Sequence, residues 1–126
     1  MRKIILLLTF CILILSVSAQ EKQKFMQITT LESVVSAGFG RSKMIITKED
    51  GSQEEKNMEN LFSLTGINMK NVKSNETSIL QELKTYTDAG WKIQSVIPLT
   101  LSPGQNGNGI FMTRYLLVKD DVKKGF

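Results

Sequence analysis

The sequence predicts an α+β domain, in which a mostly antiparallel sheet of four to five strands carries one main helix, at about residues 76–89, on one face. Apolar residues recur at helical spacing through 79–86, and the period then switches to two across 91–97. Gly90 lies at the joint, where a helix commonly ends on glycine. Two stretches rich in β-branched residues precede the helix and favour strands.

The first nineteen residues have the pattern of a secretory signal peptide. Arg2 and Lys3 precede the apolar run 4–15, and the small residues Ser16 to Ala19 follow it. The run is shorter than the ~20 residues that a membrane-spanning helix needs. Attachment of lipid at Cys11 is disfavoured, because bulky residues precede that cysteine. We therefore expect cleavage after Ala19 and a periplasmic or secreted location.

Cleavage would leave residues 20–126, which fit a single domain with frayed ends at 20–24 and 120–126. The formal net charge of +4 includes Arg2 and Lys3, so it falls to +2 in the processed chain. A nearly balanced charge gives no reason to expect nucleic acid as a partner, and no membrane insertion is expected after cleavage.

The first half of the processed chain predicts a hairpin followed by a short third strand. Strands are expected over Phe25–Val35 and Arg41–Lys48, joined by a turn at 36–40. The glycines in this turn also fit a phosphate-binding loop, but such a loop normally opens onto a helix, whereas this one opens onto a strand. The ordinary turn is therefore preferred.

Residues 49–64 contain two competing signals. Asp50-Gly51 is typical of a tight hairpin turn and predicts a short strand through Gln53 to Asn57. Ser52 to Glu55 instead fits a helix capping box. We combine the two signals as a tight turn, a short edge strand and a helical turn or two over Met58–Leu64, and 53–64 stays open between strand and helix.

Gly66 is expected to end that helical turn, and residues 67–73 to connect it to the main helix. In this connection Ile67, Met69 and Val72 are expected to pack against the core. Ser74 and Asn75 are both suitable N-caps, with Glu76 in the first turn of the helix.

After the main helix, Trp91 is expected to fold its ring back over the helix as part of the core. The next strand should run from Trp91 to Ile97 and end at Pro98. Leu99 to Gly109 then forms a Gly/Asn-rich loop. The closing strand Ile110–Lys119 is apolar on both faces, which predicts a central position in the sheet.

Four residues are candidate contacts for a ligand or partner: Trp91, Asn106, Asn108 and Arg114. Trp91 offers an aromatic platform, and the two asparagines lie in the loop that follows its strand. Arg114 interrupts an otherwise apolar strand, as expected for a residue that is paired or faces an interface.

The composition disfavours most catalytic chemistry. The chain has no histidine, and its one cysteine, Cys11, lies in the predicted signal peptide. The processed chain would therefore lack a thiolate nucleophile, a histidine base and the usual zinc ligands. The acidic residues remain, but they lie in polar stretches or beside lysines. We expect a non-enzymatic protein with no cofactor and no metal.

Three segments carry a resemblance to a known group of proteins: 61–68 (LFSLTGIN), 89–92 (AGWK) and 109–115 (GIFMTRY). They resemble the landmarks of a family of small exported bacterial α+β proteins of unknown function, of Bacteroidetes-like type. The resemblance implies a compact α+β domain in the cell envelope or outside the cell. It implies no catalytic residues.

The leading functional hypothesis is a module that binds a protein partner or self-associates, because a short sheet presents an open edge. The alternative is a small-ligand or glycan-binding protein that uses the 99–109 loop over a pocket near Trp91. A carboxylate-based hydrolase is a less favoured variant, which requires two acidic groups facing one cleft.

Overall fold

The computed structural model describes residues 22–34, 42–101 and 109–121, and within these ranges the backbone forms seven strands and one helix. The elements are β1 (Gln23–Ser33), β2 (Lys43–Thr47), β3 (Gln53–Asn57), β4 (Phe62–Ser63), β5 (Gly66–Ile67), α1 (Met69–Asp88), β6 (Lys92–Leu101) and β7 (Ile110–Asp120). Lys24–Lys119 form one compact unit. In the second unit, which includes the described chain ends 22–23 and 120–121, the amide of Asp121 donates to the carbonyl of Lys22 at 2.9 Å.

Five strands form one antiparallel sheet in the order β3-β2-β1-β7-β6. Ile28 of β1 lies opposite Ile46 of β2, and Ile46 lies opposite Glu54 of β3. At the β1–β7 junction the amide of Val34 donates to the carbonyl of Gly109 at 3.0 Å. The short strand Gln53–Asn57 and the central position of the closing strand are therefore confirmed, whereas the predicted turn at 36–40 lies outside the described residues.

The core lies between one face of this sheet and α1. Its buried members come from β1, β2 and β7: Met26, Ile28, Met44, Ile46 and Leu117. Half-buried residues pack against them, among them Ile79, Leu83 and Tyr86 from α1, and Trp91. The α+β architecture with one helix on one sheet face is confirmed, and Trp91 contacts the core as expected.

The predicted helical turn over Met58–Leu64 is wrong, because this segment is extended. The amide of Met58 donates to the carbonyl of Ser42, and that of Leu61 to the carbonyl of Ser33, at 3.1 Å each. These bonds satisfy amides that a helix would use internally. The small hairpin β4–β5 follows, with Gly66 at φ +116°. Gly66 therefore closes a hairpin rather than a helix.

The helix begins at Met69 and not at Glu76. The side chain of Asn68 accepts hydrogen bonds from the amides of Lys70 and Asn71, at 3.1 and 3.3 Å, and caps the first turn. Ser74 and Asn75 lie inside the helix and are not its N-caps. Met69 and Ile67 are 57% and 63% exposed, so the prediction that both pack against the core is also wrong.

The end of the helix agrees with the prediction to within one residue. The amide of Trp91 donates to the carbonyl of Tyr86, and that of Gly90 to the carbonyl of Thr87, each at 3.0 Å. These two bonds form a Schellman motif, in which the residue after the C-cap takes a left-handed conformation. Gly90 takes it at φ +88°, as the sequence predicts.

Pro98 does not end its strand, since β6 continues to Leu101. Hydrogen-bonded pairs recur at every second residue of an antiparallel ladder. Because the carbonyl of Gly109 bonds to Val34, the backbone groups of the odd-numbered residues of β7 point towards β1. The backbone groups of the even-numbered residues point towards β6, where Arg114 lies opposite Ile97. Pro98 therefore directs its nitrogen away from β7, to the open edge of the sheet, where proline is tolerated.

Candidate functional site

Trp91 lies in the wall of a cleft at the end of the sheet where β6 begins. The cleft has a volume of about 580 Å³, and its lining residues are Met26, Lys48, Glu49, Asp50, Tyr86 and Trp91. Small-molecule sites typically have volumes of ~300–1,000 Å³ and an apolar lining with a few polar groups. The cleft has both properties.

The tight turn between β2 and β3 supplies the polar side of this cleft. The amide of Gly51 donates to the carbonyl of Lys48, and the amide of Lys48 donates to the carbonyl of Ser52, at 2.9 Å each. Asp50 Oδ1 accepts from the amide of Ser52, also at 2.9 Å. Asp50-Gly51 therefore forms the turn that the sequence predicts, and the turn holds Glu49 and Asp50 beside the aromatic wall.

Two ion pairs neutralise most of the charge at the cleft. Lys24 lies 3.7 Å from Glu49, and Lys48 lies 3.8 Å from Glu54. Hydrogen bonds from the hydroxyl and the amide of Ser52 lower the pKa of Asp50, so this carboxyl group stays ionised near neutral pH. Burial, reinforced by the carboxylates of Glu82 and Glu54, raises the pKa of the Tyr86 phenol, which therefore stays neutral.

Glu49 and Asp50 meet one condition for a carboxylate hydrolase, since both face one cleft. A glycosidase also needs a carboxylic acid that holds its proton near neutral pH, which requires a raised pKa. The lowered pKa of Asp50 makes it unsuitable for that role. Glu49 is paired with a lysine, and its side chain is half exposed.

Of the four residues predicted as contacts, Trp91 and Arg114 lie among the described residues, and the structure does not bring these two together. Asn106 and Asn108 lie outside the described residues. Arg114 is exposed on the sheet face opposite the helix, because its neighbours Tyr115 and Leu117 face the core.

That opposite face carries a block of apolar side chains, which we call the open-face patch. It comprises Ile97, Leu99 and Leu101 of β6 with Met112 and Ile110 of β7. Leu99 lies opposite Met112, and Leu101 opposite Ile110. Leu101 is 65% exposed and Ile97 48%. The sequence shows the alternation of β7, but ending β6 at Pro98 places Leu99 and Leu101 in a loop and hides the patch.

A second cleft, of about 630 Å³, lies beside the β4–β5 hairpin. Its polar groups serve the fold: Asn71 Nδ2 donates to the carbonyl of Asn60 at 2.8 Å, and Ser63 Oγ to the carbonyl of Gly66 at 3.2 Å. Sequence reasoning missed both roles, because it assigned Ser63 to a helical turn and placed Asn71 in a connection before the helix.

Two further observations concern the part of the chain that the structure describes. No three His, Cys, Asp or Glu side chains there come together in a way that could hold a metal ion. No helix in the same ranges combines the length and the apolar character that crossing a membrane requires.

Comparison of the chain with models of protein families, with curated proteins and with solved structures finds no match in any of the three. The resemblance to small exported bacterial proteins therefore stays a prediction. Two surfaces of the described residues are candidates for function: the open-face patch and the cleft at Trp91.

Proposed function

We propose that this chain is an exported, non-enzymatic module that self-associates by stacking the open-face patch against the same patch of a second copy. The exposed apolar block on the sheet face opposite α1 is the observation that carries the proposal. Contiguous apolar surface of this kind marks interaction sites in proteins. The signal peptide predicted at 1–19 supports export, and the lack of histidine in the chain supports a non-enzymatic role.

The edges of the sheet are less suitable for self-association than its face. On β3 the edge carries the charged residues Glu54 to Lys56. On β6 the outward position of Pro98 lacks an amide proton. Charged residues and proline are the features by which proteins prevent pairing at sheet edges. A second copy is thus better accommodated on the face.

The size of the face sets the expected strength. The open-face patch spans Ile97–Leu101 of β6 and Ile110–Met112 of β7, and elsewhere on the same face Thr29 and Val118 are buried. With a rise of ~3.3 Å per residue and a spacing of ~4.8 Å, the patch presents roughly 150 Å² of flat area per copy. This area is well below that of a standard interface, so we expect a weak, reversible dimer that forms at millimolar concentration.

Arg114 limits how the copies can align. It lies on the same face as the patch, opposite Ile97, and an unpaired charge buried at an interface would be costly. The two-fold axis should therefore pass near Leu99 and Met112, which leaves Arg114 at the solvated rim. A two-fold contact brings the same apolar surface to both partners.

Two matched substitutions on β6 test the proposal. Leu99→Lys places a charge in the patch, and Val96→Lys places one on the other face of the same strand, where Val96 is 50% exposed. Light scattering of the processed chain, recovered after export, should show a dimer for wild type and Val96→Lys. Leu99→Lys should dissociate at least tenfold more readily. Equal behaviour of the two variants would contradict the proposal.

A further inference from the structure

We propose that the cleft at Trp91 is a binding site for a neutral carbohydrate, a short oligosaccharide whose sugar ring packs against the aromatic wall. This site is independent of the proposed self-association, because it lies on the helix side of the sheet. Three features carry the inference: the composition of the wall, the pairing of charges at the rim and the rigidity of the polar side.

The wall is apolar but not aliphatic. Trp91 and Tyr86 contribute aromatic rings and Met26 a thioether, and Met26 is itself 3% exposed and fixed in the core. Aromatic side chains present a large rigid surface together with a polar tip. The C–H face of a sugar ring is flat and apolar, so it fits such a wall, and its hydroxyl groups remain directed at the rim.

The rim offers both acceptors and donors. Glu49 and Asp50 provide carboxylate oxygens, and Lys48 provides an ammonium group. Each sugar hydroxyl can donate and accept, so such a mixed rim can be satisfied by a polyol. A rim of one sign would instead select a charged ligand.

The charges at the cleft disfavour an ionic ligand. Lys24 pairs with Glu49 and Lys48 with Glu54, at 3.7 and 3.8 Å, and the exposed Asp50 carries the remaining negative charge. An anionic ligand would be repelled by Asp50, and a cationic ligand would gain little Coulomb energy from this solvated carboxylate while it lost hydration. A neutral ligand does not incur that desolvation cost.

The polar side is also pre-organised. Asp50 is fixed by the amide of Ser52, and the β2–β3 turn is closed by hydrogen bonds on both sides of Gly51. Groups that are fixed before binding lose little conformational freedom when the ligand arrives. The acceptors of the rim are therefore positioned without a ligand.

Trp91 is the only tryptophan of the chain, so its fluorescence reports on the cleft directly. The probes are three neutral trisaccharides, cellotriose, maltotriose and the trimer of N-acetylglucosamine, with tetramethylammonium and a heparin disaccharide as charged comparators. We expect a saturable change in Trp91 emission with at least one neutral probe. Calorimetry then measures the affinity of that probe.

Conservative variants localise the binding. Glu49→Gln and Asp50→Asn keep the shape of the side chains, and each should weaken binding about tenfold through the loss of a charge-assisted hydrogen bond. Glu76→Gln, on α1 and outside the cleft lining, should leave the affinity unchanged. The inference is overturned if no neutral probe saturates at millimolar concentration, if a charged comparator binds more tightly, or if Glu76→Gln weakens binding equally.

Discussion

Asn75 occupies a position on α1 that faces the sheet, although its side chain is an amide. It is 1% exposed and completes three hydrogen bonds, of which two join it to the backbone of Glu59: its Oδ1 accepts from the amide and its Nδ2 donates to the carbonyl, at 2.8 Å each. The third goes from Nδ2 to Glu32 Oε1 at 3.1 Å. One side chain therefore fixes the segment before β4 against both helix and sheet.

Replacing Asn75 by alanine should lower the free energy of unfolding by about 1–2 kcal/mol, because the partly buried amide and carbonyl of Glu59 lose their partner. Ser74→Ala is the matched control, since Ser74 is the exposed neighbour and alanine favours a helix. Urea titration measures both variants. If Asn75→Ala lowers the unfolding free energy no more than the control does, the hydrogen bonds of Asn75 to the Glu59 backbone do not stabilise the fold.

Glu82 is the second polar group at the helix–sheet contact. Its side chain is 10% exposed, and its carboxylate accepts from Lys56 Nζ at 2.5 Å. This hydrogen bond raises the pKa of Lys56 more than burial lowers it. The pair connects the edge strand β3 to α1, because Lys56 lies on the same sheet face as the core residue Met44.

Lys56→Met should therefore destabilise the protein by about 1–2 kcal/mol at neutral pH, because it leaves a nearly buried carboxylate without its partner. Lys84→Met removes an exposed pair with Asp88 on the same helix and should cost no more than ~0.5 kcal/mol. Urea titration measures both variants. Equal losses of unfolding free energy would show that the Lys56–Glu82 pair stabilises the fold no more than an exposed ion pair does.

The Lys56–Glu82 pair also makes the free energy of unfolding depend on pH in the alkaline range. The folded state raises the pKa of Lys56 and of Tyr86, so it binds more protons than the unfolded state once the pH exceeds about 10. The stabilisation that each group provides is fully present below its pKa in the unfolded state. It is lost as the pH rises through its pKa in the folded state. Unfolding free energy should fall from pH 10 to 12, and less steeply in Lys56→Met. An equal slope in both proteins would count against the pair.

At the scale of elements, the joint between α1 and β6 is the part of the fold that local sequence determines best. Gly90 and Trp91 complete the Schellman motif with bonds to Thr87 and Tyr86, and all four residues are close in sequence. The start of α1 is harder to predict. Its first two turns, about 69–75, expose Met69 and direct the polar Asn75 at the sheet, so they do not resemble an amphipathic helix.

Gly90→Ala tests the joint. A Cβ at Gly90 would lie 3.6 Å from Lys119 Cε, an ordinary contact, so the cost should come from the positive φ alone. We expect a loss of about 1 kcal/mol in unfolding free energy, and a smaller loss for Gly90→Asn, since asparagine tolerates this conformation. A loss for Gly90→Asn as large as that for Gly90→Ala would argue against the conformational origin of the cost.

Strand β6 shows why the candidate site was only partly predictable. Proline is a reliable strand breaker only where its nitrogen faces a partner strand, and Pro98 faces the open edge. The direction of that nitrogen follows from register with β7, which depends on residues far along the chain. Trp91 as a core contact and a pocket near it could be predicted, whereas the lining of that pocket could not, because its acidic side comes from the β2–β3 turn.

At the scale of the whole molecule, one helix covers a five-stranded sheet on one face. Composition and periodicity predict this architecture, since β1, β7 and α1 each carry an adequate local pattern. They do not predict which apolar residues stay exposed. Ile97, Leu99 and Leu101 are apolar in sequence in the same way as Ile28 and Ile46, and only the position of α1 distinguishes them.

Self-association of the processed chain is therefore the central claim, and sedimentation equilibrium over a wide range of concentration tests it most directly. We predict a weak, reversible monomer–dimer equilibrium at millimolar concentration. Leu99→Lys should shift it towards monomer, and Val96→Lys should not. A wild-type chain that stays strictly monomeric at millimolar concentration would contradict self-association through the open-face patch.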